Sequence, residues 1–130
     1  MAHQRGIQTV TRGDSTRLDA LRSALRTFNT ERDWSRYHGV KNLSMALASE
    51  VGELVALLRW KEPMDAERER LAGVEQERLE DEIGDIMLVL LNLEDRLCVD
   101  LVTLGARKLV KNARKYPVRL ASRGPEAHDV

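Results

Sequence analysis

The sequence predicts an all-α protein built as a four-helix bundle, and three observations indicate this fold. Apolar residues recur at helical spacing in four segments. No segment alternates apolar and polar residues as a half-buried strand would. Breaks in the pattern coincide with Gly39, Pro63 and Pro117, residues that favour turns and helix ends.

N-cap residues and stripes of apolar residues at helical spacing predict the first two helices. An N-cap at Asp14 or Ser15 starts the first helix, which ends near residue 33. Its apolar stripe is Leu18, Leu21, Leu25 and Phe28. Asn42 is the predicted N-cap of the second helix, which stops before Pro63. Its stripe is Leu43, Leu47, Val51, Leu54 and Leu58.

The third helix, predicted over residues 75–97, is apolar on nearly every side, which is typical of a helix buried all round. Because one small subunit can hardly surround it, we predict a homo-oligomer. Asp100 caps a fourth helix that ends at Tyr116-Pro117. We expect one helical domain over residues 14–118, a disordered lead over 1–13 and a disordered tail over 119–130.

Composition excludes several classes of partner. Among 130 residues, 21 are Lys or Arg and 21 are Asp or Glu, so zero net charge gives no electrostatic case for binding a nucleic acid polymer. Cys98 is the only cysteine, which rules out an internal disulfide. Residues 1–10 lack a signal-peptide core, and the longest apolar run, 86–91, is too short for a bilayer. We therefore predict no membrane association and a cytoplasmic location.

Two acidic pairs are the main chemical signal. Glu50 with Glu53 and Glu82 with Asp85 are each spaced i, i+3, so each pair lies on one helix face. If the two helices face each other, four carboxylates converge and require a hard divalent cation such as Mg²⁺, with Mn²⁺ as the alternative. A solvated acidic stripe is the competing interpretation, but the apolar neighbours of Glu50 count against it.

Both pairs read acid, aliphatic, glycine, acid. A glycine inside a helix costs about 1 kcal/mol relative to alanine, so Gly52 and Gly84 predict a close approach to the backbone by a facing helix or a bound phosphate. A carboxylate-held magnesium suits the attack of water on phosphorus. The cations that can hold the remaining phosphates, or simply form a solvated basic face, are Arg59, Lys61, Lys108, Lys111, Arg114 and Lys115.

The few aromatic residues cluster at helix ends. Trp34 and Trp60 either sandwich a nucleobase, which is worth roughly 1–3 kcal/mol per base, or cap the core. His38 either bonds a substrate or the backbone of the turn. A carboxylate-bridged redox metal protein is disfavoured, because such bundles carry Glu-x-x-His motifs and no histidine follows Glu50 or Glu82 at that spacing.

Residues 28–117 resemble the MazG-type all-α nucleotide pyrophosphohydrolases, in the branch that hydrolyses dCTP. The resemblance is carried in collinear order by Glu31-Arg32-Asp33-Trp34, His38, Asn42-Leu43, Ser49-Glu50-Val51-Gly52-Glu53-Leu54, Trp60-Lys61, Glu82-Ile83-Gly84-Asp85-Ile86, Val99-Asp100-Leu101, Lys108, Asn112 and Tyr116-Pro117. It implies a helical bundle that assembles as a dimer or tetramer. It also implies Mg²⁺-dependent hydrolysis of a nucleoside triphosphate to the monophosphate and pyrophosphate, as nucleotide-pool house-cleaning.

The same resemblance implies roles for individual residues. The implied metal ligands are Glu50, Glu53, Glu82 and Asp85, with Glu53 and Asp85 catalytic. The implied substrate-binding residues are Trp34, His38, Trp60, Lys61, Lys108, Asn112 and Tyr116. Val89 stands where the animal dCTP-hydrolysing relatives carry a tyrosine, which loosens the expectation of a cytidine deoxyribonucleotide. The alternatives are a broader NTP or dUTP pyrophosphatase and a non-catalytic nucleotide-binding module.

Overall fold

Four α-helices make up the computed structural model, which describes residues 17–62, 66 and 73–118. The helices are α1 (Arg17–Glu31), α2 (Val40–Leu58), α3 (Val74–Leu97) and α4 (Leu101–Lys115), with one turn of 3-10 helix at Ser35–Tyr37. The described residues contain no strand, so the predicted all-α fold with four helices is confirmed. None of the described helices is long and apolar enough to span a bilayer.

The chain divides between Leu97 and Cys98 into two compact units. The first unit contains α1, α2 and α3, and the second contains α4. The predicted N-cap at residue 14 or 15, the lead over 1–13 and the tail over 119–130 lie outside the described residues, as does most of the charged segment after Pro63.

Helices α2 and α3 form the main packing contact of the first unit, and α1 packs on α3. Leu43 on α2 and Leu91 on α3 are its most buried apolar side chains, at 4% and 3% exposure. Lys61, just after α2, pairs with Glu75 in the first turn of α3, so the two helices run antiparallel. This antiparallel pair carries both predicted acidic pairs.

The contact between α1 and α3 is polar, which the apolar stripe of α1 did not predict. Arg22 donates from Nε and Nη2 to the two carboxylate oxygens of Glu94, at 2.6 and 2.8 Å. Glu94 is buried, at 5% exposure. Buried Asn29 donates from Nδ2 to Oδ1 of Asn92 at 2.8 Å. These paired groups offset each other's desolvation and fix the register of α1.

Of the two predicted N-caps that lie among the described residues, one is wrong and one is confirmed. Helix α2 begins at Val40 with extended Gly39 as its N-cap, so the predicted cap at Asn42 is wrong. Asn42 lies within the first turn, where its amide Nδ2 donates back to the Tyr37 carbonyl at 3.1 Å. The predicted cap at Asp100 is confirmed, because its Oδ1 accepts from the Thr103 N–H at 2.7 Å.

The described residues of one chain do not enclose helix α3, as expected for a helix that one small subunit could hardly surround. Ile83 and Met87, one turn apart, are 52% and 43% exposed. On α2, Val51 and Val55 are 41% and 53% exposed. The α2–α3 pair therefore leaves apolar surface uncovered in the described structure.

We expect Arg22→Met to destabilise the fold by about 3–5 kcal/mol, because it removes the bidentate guanidinium bond to the buried Glu94 carboxylate. Urea unfolding measures this change. Arg26→Met is the matched control on the same helix, since the Arg26–Asp95 pair is exposed and such pairs contribute about 0.2–1 kcal/mol. Equal losses in the two variants would contradict the assignment.

Candidate functional site

The antiparallel pair α2–α3 brings the predicted acids together. Glu50 and Glu53 on α2 and Glu82 on α3 each place a carboxylate oxygen within 4.8 Å of the other two. Asp85 lies outside this group of three, but its negative charge helps to raise the pKa of both Glu50 and Glu82. We call Glu50, Glu53, Glu82 and Asp85 the acid cluster.

Crowding makes ionisation of the acid cluster costly. Desolvation raises the pKa of Glu50 above its usual value, and the charges of Asp85 and Glu53 raise it further. Desolvation also raises the pKa of Glu82, with the charges of Glu53, Glu50 and Asp85 acting in the same direction. Without a counter-ion, the carboxylates of the acid cluster repel one another when they are ionised.

Two oxygen atoms of the cluster lack the partners that burial demands. Oε2 of Glu50 and Oε2 of Glu82 are buried, and neither has a hydrogen-bond partner among the described residues. An ionised carboxylate can only accept hydrogen bonds or bind a cation. Buried, unpartnered carboxylate oxygens from two facing helices therefore fit a hard divalent cation, whose preferred ligands are oxygen atoms.

Gly52 and Gly84, between the acids of each pair, meet open space. A Cβ added at either position would find no atom of another part of the described structure within 4 Å. A facing helix of the same chain is therefore not the reason for these glycines. Close approach of a phosphate stays a prediction.

Trp34 is placed by the turn that ends α1. Asp33 adopts a left-handed backbone conformation (φ 52°), and the Trp34 N–H bonds the Asn29 carbonyl at 3.0 Å. The Trp34 ring stacks edge-on against Phe28, with centroids 5.5 Å apart, and remains 47% exposed. Trp34 is thus held on one side and open on the other.

The end of α2 presents a second exposed indole. Trp60 is 85% exposed and has the Arg59 guanidinium 5.2 Å from its ring centroid. It caps no core in the described structure. Next to it, Nζ of Lys61 pairs with Oε1 of Glu75 at 2.8 Å. His38 ends the 3-10 turn and is half-buried.

The chain is similar to curated proteins and to solved structures. No family model matches the chain. The chain is 38% identical over 107 residues to dCTP pyrophosphatase 1 of Bos taurus, covering 82% of this chain and 63% of the relative. It is 36% identical over 104 residues to dCTP pyrophosphatase 1 of Homo sapiens, covering 80% and 61%. The chain thus spans less than two thirds of the length of these curated relatives.

A solved structure decides the family. The crystal structure of a pyrophosphatase from Archaeoglobus fulgidus matches with a TM-score of 0.72 and 34% identity, covering 82% of this chain and 97% of that one. This chain belongs to the MazG-like pyrophosphohydrolase family. The predicted resemblance is confirmed.

Not every residue implied by the MazG-like resemblance lies in the unit that carries the acid cluster. Lys108 and Asn112 are four residues apart on α4, and Tyr116 follows at its C-cap, so the three share one face of that helix. Their substrate-binding roles stay predictions. Two charged residues of α3 that were not predicted as site residues, Glu75 and Arg78, line a cavity beside the cluster. The available signal was the position of Arg78, one turn before Glu82.

We expect Glu50→Gln to raise the melting temperature of the metal-free protein at pH 7, because it removes one charge from the crowded cluster. The folded-state pKa of Glu50 is raised, so the ionisation cost is absent below about pH 4.5 and grows as pH rises through the folded pKa. The gain from the substitution should therefore vanish near pH 4.5.

Thermal melts with and without Mg²⁺ or Mn²⁺ check this prediction. Glu50→Gln should also lose most of the stabilisation that the ion gives to the unmodified protein. Glu77→Gln, an exposed acid on α3, is the control and should leave both quantities unchanged. A variant that is destabilised without metal, or that keeps the full metal effect, would refute the cluster assignment.

Proposed function

We propose that this protein hydrolyses a nucleoside triphosphate between its α and β phosphates, releasing a nucleoside monophosphate and pyrophosphate. The proposed substrate is dCTP or a modified dCTP, and the proposed ion is Mg²⁺ or Mn²⁺. The observation that carries the proposal is the acid cluster, whose two buried oxygens have no hydrogen-bond partner among the described residues, in a chain 38% identical over 107 residues to a dCTP pyrophosphatase. House-cleaning of the nucleotide pool is the corresponding role.

The four acids of the cluster have different proposed roles according to their exposure. Glu50 and Glu82, half-buried, are the fixed ligands, and the more exposed Glu53 and Asp85 face the reactants. When bound, the ion offsets phosphate charge and lowers the pKa of a bound water. Glu53 accepts a proton from the attacking water, and the water oxygen forms a bond to the α phosphorus. The bond between the α phosphorus and the oxygen that bridges it to the β phosphorus breaks. The bridging oxygen leaves with pyrophosphate.

The remaining predicted residues bind the nucleotide in this proposal. Trp34 and Trp60 stack on the base, and their exposure, 47% and 85%, leaves ring faces available. His38 bonds the sugar or base. Lys61, Lys108, Asn112 and Tyr116 contact phosphates or the base.

A broader NTP or dUTP pyrophosphatase is the second candidate, and Val89 favours it. Val89 follows Asp85 by one turn on the same face of α3 and is half-buried. An aliphatic side chain there supplies no hydroxyl to select a sugar or base. The non-catalytic nucleotide-binding module and the cytoplasmic location stay predictions.

A homo-oligomer is part of the same proposal. Val51 and Val55 on α2 and Ile83 and Met87 on α3 are 41–53% exposed. Val51 and Ile83 follow the first acid of each pair, so in antiparallel helices they lie on one side of the pair, opposite Glu53 and Asp85. We infer that a second copy covers this apolar patch, giving a dimer or tetramer.

An assay for pyrophosphate release with Mg²⁺, over canonical and 5-substituted nucleoside triphosphates, tests the function. We expect the highest kcat/KM with dCTP or a modified dCTP. Glu53→Gln and Asp85→Asn should each lower kcat by at least about 100-fold, the scale on which general bases act, with an unchanged circular dichroism spectrum. Glu77→Gln should retain full turnover. Wild-type turnover in either site variant would remove the catalytic assignment.

Val55→Glu should shift the protein toward monomers, because it buries a charge in the proposed interface. Sedimentation velocity measures the shift. Val74→Glu, at a valine 70% exposed at the start of α3, is the control and should leave the sedimentation coefficient unchanged. A monomeric wild-type protein would contradict the proposed assembly while leaving the chemistry untouched.

A further inference from the structure

A cavity of about 250 Å³ opens between the C-terminal end of α2 and the N-terminal end of α3. Three charged residues line it, Lys61, Glu75 and Arg78, together with apolar residues that include Leu57 and Leu79. Drug-sized ligands occupy about 300–1,000 Å³. The cavity therefore suits a fragment of the size of a diphosphate group rather than a whole nucleotide.

The cavity adjoins the acid cluster along both helices. Arg78 precedes Glu82 by four residues on α3, and Leu57 follows Glu53 by four residues on α2. Four residues correspond to about 6 Å along a helix axis. A group bound at the cluster can thus extend into the cavity without leaving the seam between α2 and α3.

Of the two cations that line the cavity, only Lys61 has an ion-pair partner among the described residues. Lys61 is paired with Glu75, and its side chain is only 28% exposed. Arg78 makes no hydrogen bond or ion pair with any described residue, including Glu82 one turn away. One exposed guanidinium fork, the geometry that matches phosphate oxygens, therefore has no protein partner within the described part of the chain.

We propose that Arg78 and Lys61 form a subsite for the terminal diphosphate of the substrate, and that Glu75 holds Lys61 until that diphosphate arrives. This rests on the proposed function and adds to it the binding role of Arg78 and the holding role of Glu75. The acid cluster repels phosphates except where the bound ion neutralises it. Phosphates that do not contact the ion need positive groups of their own. Arg78 and Lys61 lie where the triphosphate would extend beyond the acid cluster.

The competing occupant of this cavity is the base. No aromatic ring lines the cavity, whereas Trp34 and Trp60 offer exposed ring faces elsewhere. Two cations against one carboxylate give the lining a net positive charge, which favours an anion over an uncharged ring. The diphosphate is the occupant that the lining favours.

Calorimetric titration of the intact protein with inorganic pyrophosphate and Mg²⁺ tests the subsite without relying on turnover. Arg78→Ala should weaken binding about 10- to 100-fold, the effect of losing a charged hydrogen-bonding partner. Glu75→Gln should tighten it roughly two- to fivefold, because Lys61 is released from an exposed ion pair. A merely structural role for these residues would not move binding in opposite directions.

Arg96→Ala is the matched control. Arg96 is exposed and lies on the same face of α3 as Arg78. It follows Arg78 by eighteen residues, or five turns, which is about 27 Å along the helix axis. It should bind pyrophosphate like the unmodified protein. With a nucleotide that the enzyme hydrolyses, Arg78→Ala should raise KM at least about tenfold and change kcat by less than about threefold, since it removes binding rather than the attacking group.

The outcomes separate the subsite from the function. Unchanged pyrophosphate affinity in Arg78→Ala, or altered preference among bases with unchanged pyrophosphate affinity, would overturn the subsite even in an active enzyme. Arg78-dependent pyrophosphate binding in a protein that hydrolyses no nucleotide would support the subsite and overturn the proposed function.

Discussion

The repulsion among carboxylates held between α2 and α3 is the constraint on which the site depends. Three carboxylates within 4.8 Å of one another, two of them with buried oxygens that lack a hydrogen-bond partner among the described residues, are unstable as a set of free charges. Protonation or a cation must relieve it, and desolvation already raises the pKa of Glu50 and Glu82. A divalent cation relieves the repulsion without protonating the carboxylates, and a cation held in this way keeps coordination positions open for other oxygen ligands.

The rest of the first unit keeps those charges together. Apolar burial is thin, with only Leu43 and Leu91 buried among the apolar residues that the structure describes. The Arg22–Glu94 pair and the Asn29–Asn92 bond attach α1 to α3 through directional contacts instead. Directional polar contacts specify one register where a small apolar core would allow several.

Local signals in the sequence foretold much of this arrangement. Apolar periodicity predicted all four helices, and the i, i+3 spacing placed each acidic pair on one helix face, because both signals depend on helix geometry alone. The convergence of Glu50, Glu53 and Glu82 also needed the condition that the two helices face each other. The α1–α3 ion pair was not predicted, since Arg22 and Glu94 are 72 residues apart and look like ordinary surface charges. The start of α2 was misplaced because Asn42 has cap chemistry, yet its amide bonds backward from inside the first turn.

Helix α2 reverses the usual distribution of charge in a helix of a globular protein. Between Lys41 and Arg59 its only charged residues are Glu50 and Glu53, which face α3, while Val51 and Val55 face outward. A surface helix ordinarily buries its apolar stripe and exposes its charges. The inward acids call for a cation, and the outward valines call for an apolar partner. A single 19-residue helix therefore ties the proposed chemistry to the proposed assembly, because any shift of α2 that covered its valines within the chain would pull its acids away from Glu82.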